Sequence, residues 1–280
     1  VAALSWPIDN LARAAEWKAS VERVLSLQDA LERLDREVQG AEGAPRVVVD
    51  RDDAVHSLTF TDVSITEPDG ALVIKPFSVE VKPGERVLIS GDAGASLRLF
   101  RAVARVWPWG RGRIALPAHT RVFFMPEHPY LPNASLRSAL SYPVGPEKVG
   151  DNAAEAALVR VGLAHLTARL DERAAWDEEL AMSDQQRLGF ARLLVRRPDW
   201  IFIEGATDAM DPESEEEMLR ILDEDFPKAT LITIGSGSRV EKRHSRRLTL
   251  ERINGAVRVV DAAAPANGDG REQERRNAAE

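Results

Sequence analysis

Apolar and polar residues alternate along parts of this chain with the two-residue period of a β-strand. Residues 58–65 (LTFTDVSI) and 77–81 (FSVEV) show this alternation, and each is followed by a turn signal that contains proline and glycine. Four further segments are short and apolar at their centres, as strands buried on both faces are: 85–90, 121–125, 200–204 and 230–235. The pattern therefore predicts several strands, most of them buried.

Helical periodicity occupies the gaps between these runs. The segments 151–163, 183–196 and 212–225 carry apolar residues at helical spacing, and another helical pattern opens at about Leu97. Strands that alternate with helices are typical of an α/β fold with a parallel core sheet. We therefore predict this fold class for the central block of the chain.

The two ends of the chain differ from the central block. Residues 1–38 predict one amphipathic helix, which either packs on its own domain or ends a longer helix from an upstream region. Residues 39–56 mix glycine, proline and charge, as a linker does. Residues 261–280 have almost no large apolar side chain, which predicts a disordered tail.

Composition narrows the classes of function. The chain has no cysteine, which excludes disulfides, a thiol nucleophile and cysteine-based metal sites. Its net charge of -8 argues against a nucleic-acid partner, because nucleic-acid-binding surfaces are basic. No run approaches the roughly 18 apolar residues of a membrane span. The sequence opens on Val1 without a signal segment, so we expect a piece of a longer protein.

A buried strand, a glycine-bearing turn and a helix follow one another around residue 90. This order presents backbone N–H groups and the positive end of a helix, a combination that cradles phosphates. Because such turns are common in α/β proteins, this one alone does not identify a nucleotide site. The turn reads Gly91-Asp92-Ala93-Gly94-Ala95-Ser96-Leu97-Arg98.

Several further segments, in matching order and spacing, resemble ABC-type ATPases. Residues 180–211 (LAMSDQQRLGFARLLVRRPDWIFIEGATDAMD) resemble the signature helix and Walker B region, and residues 121–143 resemble the Q-loop region. Residues 4–24 and 106–117, with Trp176, are similar to the BacA-like bacterial branch related to the peroxisomal fatty-acyl transporters. The resemblance implies a P-loop NTPase fold with a parallel RecA-like core sheet, an antiparallel β lobe and a helical subdomain at about 128–182.

The resemblance also implies an organisation. In that family a half-transporter carries a membrane domain followed by one nucleotide-binding domain, and two halves pair. Residues 1–38 would be the C-terminal end of the last transmembrane helix with its cytoplasmic exit, and residues 57–260 the ABC-type nucleotide-binding domain. The expected partners are the transmembrane domain of the same full-length chain and a second half-transporter, identical or different. The resemblance implies that the protein is located at the cytoplasmic face of a bacterial inner membrane, with the present segment soluble by itself.

The phosphate loop departs from the family pattern Gly-x-x-Gly-x-Gly-Lys-Ser/Thr. Gly91 and Gly94 match, whereas the third glycine is Ser96, the lysine is Leu97 and the hydroxyl residue is Arg98. The lysine places a cation on the β- and γ-phosphates, and the hydroxyl ligates Mg²⁺. Leucine does neither and arginine cannot ligate a cation. ATP with Mg²⁺ is the family ligand, and we expect its binding here to be weak or lost.

Four positions that the family uses in hydrolysis or metal binding are also changed. The Q-loop glutamine is Glu127, the Walker B aspartate is Glu204, the catalytic glutamate is Gly205 and the switch histidine is Ser236. Glycine has no side chain to orient water, so no functional catalytic residue is expected. No metal site is expected either, apart from Glu204 if Mg²⁺ binds.

The signature and the D-loop are kept in part. The signature reads Leu180-Ala181-Met182-Ser183-Asp184-Gln185, in which Ala181 removes the hydroxyl that contacts the partner's nucleotide in the family. Ser183 and Gln186 have the spacing of a capping box, which predicts that the signature helix still forms. The D-loop keeps Asp208 and Asp211, and Asp211 before Pro212 also fits a helix N-cap.

The Walker A hydroxyl and the Walker B aspartate approach one Mg²⁺ in the family. Here these positions are Arg98 and Glu204, so we predict an Arg98–Glu204 ion pair in place of the metal. The alternative is that Arg98 points to solvent and Glu204 accepts backbone hydrogen bonds. The family's adenine-stacking position falls near Glu67, which is not aromatic.

Together the substitutions predict the nucleotide-binding domain of an ABC half-transporter that dimerises and couples to a membrane domain with little or no ATP hydrolysis. Two alternatives stay open: an ATP-binding subunit that works with a competent partner half, and an active ATP-driven transporter domain. The five histidines lack metal-ligand spacing. The basic run at 239–247 is more typical of a solvated surface than of a lipid-headgroup site.

Overall fold

The chain divides into two compact units. The computed structural model describes residues 2–39 and 46–263. Among the described residues, the first unit, which ends at Pro45, is one long helix, α1 (Ala2–Gln39), so a helix forms where the sequence predicts one. No helix in the described parts of the chain is long and apolar enough to cross a membrane.

The second unit begins at Arg46 and is built on one ten-stranded sheet. Its strands are β1 (Val48–Asp52), β2 (Leu58–Thr66), β3 (Leu72–Val81), β4 (Arg86–Gly91), β5 (Gly110–Pro117), β6 (Val122–Met125), β9 (Trp200–Glu204), β10 (Thr230–Ile234), β11 (Arg246–Ile253) and β12 (Ala256–Ala263), and a separate two-stranded sheet pairs β7 (Ala134–Ser135) with β8 (Arg173–Ala174). The helices are α2 (Ala93–Val103), α3 (Leu136–Ser141), α4 (Asp151–Arg160), α5 (Trp176–Glu179), α6 (Met182–Arg196), α7 (Pro212–Glu224) and α8 (Ser238–Glu241), with short 3₁₀ turns at Pro146–Lys148 and Ala164–Arg169.

The core of the large sheet is parallel, which confirms the predicted fold class. Strands β11, β4, β10, β9 and β6 lie side by side in that order, and every neighbouring pair among them is parallel. The centre of β10 pairs Ile232 with Val87 of β4 and with Phe202 of β9, and all three side chains are buried. These three belong to the apolar cluster on one face of the sheet, and their neighbours Leu88, Ile201 and Leu231 belong to the cluster on the other face. Burial on both faces is why these strands are apolar runs rather than alternating ones.

The other half of the sheet forms the antiparallel lobe that the resemblance implies. Strand β2 pairs antiparallel with β3 and with β5, and β11 pairs antiparallel with β12. Two segments predicted to be linker and tail contain strands. The predicted linker 39–56 contains β1, because Val47 is buried and Val49 pairs with Ile114 of β5. The predicted tail 261–280 begins as strand, since β12 continues to Ala263, and residues 264–280 lie outside the described residues.

The predicted helical subdomain lies between β6 and β9. Helices α3, α4 and α5 pack there around a buried apolar cluster that includes Leu140, Leu158 and Trp176. The indole N–H of Trp176 donates to the carbonyl of Ala134, 3.0 Å away, and so pins α5 to the small sheet. This arrangement leads the chain directly into α6, the signature helix.

Candidate functional site

The predicted phosphate loop is largely helix. Strand β4 ends at Gly91 and α2 begins at Ala93, four residues before the predicted start at Leu97. The cause is Asp92, which caps the helix: its Oδ1 accepts from the N–H of Ala95 at 2.9 Å. Its carbonyl accepts from the N–H of Ser96 at 2.9 Å. The backbone from Ala93 to Ser96 therefore forms a first helical turn instead of an open cradle.

Gly91 is required by the packing of the sheet. Its φ is +106°, and a Cβ there would clash with the carbonyl oxygen of Leu250 on β11. The next N–H, that of Asp92, donates to the same carbonyl at 3.0 Å. The family-like glycine is thus explained by the close approach of two strands, without reference to a phosphate.

The carboxylate of Asp92 also has an ionic partner. Nε and Nη2 of Arg252, at the end of β11, donate to its Oδ2 at 2.9 and 2.7 Å. The pKa of Asp92 is held below its usual value, first by the N–H of Ala95 and then by Arg252. An anionic group of the chain itself therefore stands at the positive end of α2.

The predicted Arg98–Glu204 ion pair is wrong. Nη2 of Arg98 pairs with Oε1 of Glu67 at 2.5 Å, and its Nη1 donates to the carbonyl of Gly94 at 3.0 Å. Helical side chains lean toward the N-terminus of their helix, and that direction carries Arg98 toward Glu67, which follows β2. Oε2 of Glu204 instead accepts from the backbone N–H of Glu127 at 3.4 Å. A backbone hydrogen bond to Glu204 is what the alternative prediction expected. Glu67, near the family's adenine-stacking position, is therefore the counter-ion of Arg98.

The residues at the catalytic-glutamate, D-loop and switch positions do come together. Gly205, Asp208 and Ser236 line one small pocket at the ends of β9 and β10. Gly205 has φ +57°, and a Cβ there would lie 3.1 Å from Oδ2 of Asp208 and 3.1 Å from Cβ of Glu127. A side chain at position 205 would be strained and crowded even before it reached for water.

Gln186, a residue not predicted to contact these loops, connects them. Its Nε2 donates to the carbonyls of Glu127 and Gly205 at 3.1 and 3.3 Å, and its Oε1 accepts from the N–H of Ala209 at 3.2 Å. The predicted capping box with Ser183 is therefore wrong: α6 begins at Met182 with Ala181 as N-cap and no side-chain cap bond. The helix itself forms as predicted. An amide between apolar positions of a buried helix is the signal that could have pointed to this role.

The rest of the signature and the D-loop are held structurally. Gln185 is buried, and its Nε2 donates to the carbonyls of Asp177 and Leu180, which fixes the entry to α6. Asp211 caps α7 by accepting from the N–H groups of Glu213 and Ser214 at 3.0 Å, with Pro212 in the first turn, as predicted. Leu180 and Ala181 precede α6, and Met182, Ser183 and Asp184 form its first turn.

Negative charge gathers at this end of the sheet. Burial raises the pKa of Asp208, and the neighbouring carboxylates of Glu127 and Glu215 raise it further. Within the described residues, no three histidine, aspartate or glutamate side chains are grouped as metal ligands would be. The D-loop carboxylate of Asp208 and the Q-loop carboxylate of Glu127 repel one another, which is why Glu127 raises the pKa of Asp208.

Mg·ATP, the ligand that the resemblance implies, does not fit these residues. The first turn of α2 is capped by Asp92, so an incoming phosphate would meet a carboxylate. Leu97 offers no cation, and Arg98, at the Mg²⁺-ligand position, is committed to Glu67. The fold of a phosphate site is present, but the lysine and the metal-binding hydroxyl are replaced, and the nearby N–H and guanidinium groups already have partners within the chain.

Comparisons with known proteins agree on one family. The chain is 34% identical over 193 residues to an uncharacterized ABC transporter ATP-binding protein of Haemophilus influenzae (69% of this chain, 32% of that protein). It is 27% identical over 232 residues to the inner membrane ABC transporter ATP-binding protein YddA of Escherichia coli (82% and 39%). It is 28% identical over 196 residues to mouse ATP-binding cassette sub-family D member 3 (65% and 29%).

A solved structure with a similar fold is a bacterial Atm1-family ABC exporter with ATP bound. The TM-score is 0.64 at 24% identity, over 85% of this chain and 44% of that one. No protein-family model matches the chain. The chain spans between about a third and two fifths of the length of the first curated relatives that it matches.

Proposed function

This chain is a homologue of ABC transporter ATP-binding proteins and has the fold of their nucleotide-binding domain, and from that premise we propose that it is a degenerate domain of this kind. It dimerises and couples to a membrane domain with little or no ATP hydrolysis of its own. The homologues are named ATP-binding proteins. The proposal therefore concerns the ATP-hydrolysing groups that this particular sequence has lost.

The proposal depends most on one observation, the residue at the catalytic-glutamate position after β9. The family's water-orienting glutamate is Gly205 here, in a left-handed backbone conformation with Glu127 and Asp208 against it. Removing one preorganised group that acts in a transition state costs roughly 3–4 kcal/mol, a factor of about 10²–10³ in rate. The lysine, the hydroxyl and the switch histidine are absent as well. Such losses do not add, but two independent ones bring turnover close to background.

The proposed partners follow from the resemblance to ABC half-transporters. We propose that α1 is the cytoplasmic end of the last transmembrane helix of a longer chain, and that two such halves pair, identical or different. The name of the E. coli relative places that protein in the inner membrane, and the same place is proposed here, with the second unit on the cytoplasmic face. Helix α1 and the second unit form separate compact units, which supports this division.

Titration calorimetry with the 280-residue chain tests the proposal, with ATP added in the presence and in the absence of Mg²⁺. We expect no binding heat at millimolar ATP and no phosphate release above the buffer rate. The corresponding domain of YddA in the same buffer is the positive control, and circular dichroism verifies that the chain is folded.

Two results would contradict the proposal in different ways. Micromolar Mg·ATP binding without turnover would favour an ATP-binding subunit that supports a competent partner half. Turnover at a rate near that of the YddA domain would make this an active ATP-driven transporter domain.

A further inference from the structure

Both carboxylate oxygens of Asp92 are occupied by groups that a phosphate would use. Oδ1 accepts from the N–H of Ala95, in the first turn of α2, where backbone N–H groups have no partner within the helix. Oδ2 accepts two hydrogen bonds from the guanidinium of Arg252. Backbone N–H groups at a helix start and an arginine fork are the usual ligands of a bound phosphate. The carboxylate therefore has the contacts of a bound anion.

The position of Arg252 is set by strand register. Leu250 of β11 lies opposite Gly91 of β4, so Arg252 extends two residues beyond the end of β4. Its Nη1 donates to the carbonyl of Gly255 in the following turn at 3.2 Å, which orients the fork. The parallel pairing of β11 with β4 thus delivers a cation to the start of α2 from a residue 160 positions away in the sequence.

We propose that Asp92 is a built-in anion of the phosphate loop, locked in place by Arg252, and that it keeps external phosphate groups out. The inference rests on the proposed loss of nucleotide turnover and gives it a physical cause beyond the missing lysine. It is an autoinhibitory contact within the fold: the site is filled by the chain itself.

The charges near the loop support this contact. Two guanidiniums act on the charge of Asp92, and both have carboxylate partners within the chain: Arg252 pairs with Asp92 and Arg98 with Glu67. The Asp92 side chain is only 19% exposed, so its repulsion of a second anion is screened less than that of a surface charge. Like charges a few ångströms apart repel more strongly near a protein surface than in bulk water.

The test replaces the charge but keeps the cap. Asp92→Asn retains an N-cap side chain of equal quality, so α2 should form, while the negative charge is lost and Arg252 is freed. Inorganic pyrophosphate without Mg²⁺ is the probe, measured by titration calorimetry with the full chain. We expect D92N to bind pyrophosphate at least about tenfold more tightly than the wild type. Asp92→Ser, also a good cap, should show the same gain.

A second substitution identifies the cation. In the double variant Asp92→Asn with Arg252→Gln, the freed fork is gone, and most of the gain should disappear. Asp261→Asn is the matched control. Asp261 of β12 accepts two hydrogen bonds from Arg246, which lies on β11 as Arg252 does but away from the phosphate loop. This substitution removes the same charge from the same kind of pair and should leave pyrophosphate binding unchanged.

Two outcomes would overturn the inference. One is that folded D92N and D92S bind pyrophosphate no better than the wild type; the other is that D261N gains as much as they do. Failure of the proposed function looks different, since it requires that the unaltered chain binds or hydrolyses Mg·ATP. The two ideas can therefore fail separately.

Discussion

Gly205 and His244 are single residues at which burial and backbone geometry outweigh sequence pattern. Gly205 occupies a left-handed conformation with a side chain and a carboxylate 3.1 Å from its missing Cβ. His244 is buried, with Nδ1 2.7 Å from the carbonyl of Val240 and Nε2 2.9 Å from Oγ1 of Thr233. Each residue gives a prediction about stability that a substitution at that one position can test.

Restoring the family's glutamate at position 205 should not restore hydrolysis. The left-handed backbone costs a non-glycine residue about 1–2 kcal/mol, and the crowding adds to it. Gly205→Ala should therefore lower the free energy of unfolding by at least that amount in urea. Gly205→Glu should be destabilised too and release no phosphate above background.

Gly235 provides the matched control for this substitution. It lines the same pocket, its φ is not positive, and a Cβ there would meet nothing within 4 Å. Gly235→Ala should unfold at the same urea concentration as the wild type. Equal stability of G205A and G235A would show that the strain at Gly205 is not real.

His244 should make the fold sensitive to acid. Burial lowers its pKa to about 4, against an ordinary value of 6.5. Because the folded state disfavours the proton, this stability is fully present above pH 6.5 and is lost as the pH falls toward 4. The loss by pH 4 is about 3 kcal/mol. The measurement is the free energy of unfolding in urea at pH 7 and at pH 4.

Substitutions separate this histidine from other acid effects. His244→Gln keeps hydrogen-bonding groups but does not titrate, so its stability should fall by about 3 kcal/mol less between pH 7 and pH 4. His119 has a side chain that is 93% exposed, and His119→Gln should keep the wild-type dependence. If H244Q lost stability with acid as steeply as the wild type, the acid sensitivity would belong to other groups.

At the scale of elements, pairing partners decide which segments are ordered. Strand β1 lies in a segment with the composition of a linker, yet it completes the edge of the sheet beside β5. Gln186 of α6 similarly joins the Q-loop, the end of β9 and the D-loop through three hydrogen bonds. In both cases the partner is distant in sequence.

Loss of β1 should weaken the second unit. A chain that begins at Arg46 keeps the strand and the buried Val47, whereas one that begins at Asp53 exposes the edge of β5. Burial of one valine contributes about 1.5–3 kcal/mol, so the shorter chain should be less stable by about 2 kcal/mol or more, as measured by urea unfolding.

A point substitution controls for the ion pairs of this strand. Asp50 and Asp52 pair with Arg113 at an exposed site, where such pairs add little. Asp50→Asn in the longer chain should therefore change stability by less than about 0.5 kcal/mol. Equal unfolding midpoints of the two truncated chains would mean that β1 contributes nothing to the fold.

At the scale of the whole molecule, the site combines residues from five parts of the chain. Glu67 holds Arg98, Arg252 holds Asp92, and Gln186 fixes the backbone around Gly205. The fold brings the positions of an ABC-type site together while their side chains satisfy one another. This internal pairing supports a domain that keeps its shape without nucleotide, and the titrations with ATP and pyrophosphate test it at this scale.

Residue pattern alone predicted the α/β class and the core strands β4, β6, β9 and β10 to within one residue at each end. It also located the cap at Asp211, because burial on both faces and local capping leave direct marks in sequence. The changed positions of the site were assigned from the resemblance to ABC-type ATPases and not from the pattern. Strands β5, β11 and β12 were not predicted, since they carry charged residues on a half-exposed sheet. The buried leucines 248 and 250 of β11 do alternate, and that signal was available.

Which side chains meet was decided by the tertiary structure. Arg98 pairs with Glu67 instead of Glu204, and Arg252 reaches Asp92 across 160 positions, because strand order and register place those groups together. The three contacts of Gln186 have the same cause, whereas the early start of α2 comes from the local cap at Asp92. Sequence determines what each residue can bond, whereas the distance between residues far apart in the chain exists only once the sheet is assembled.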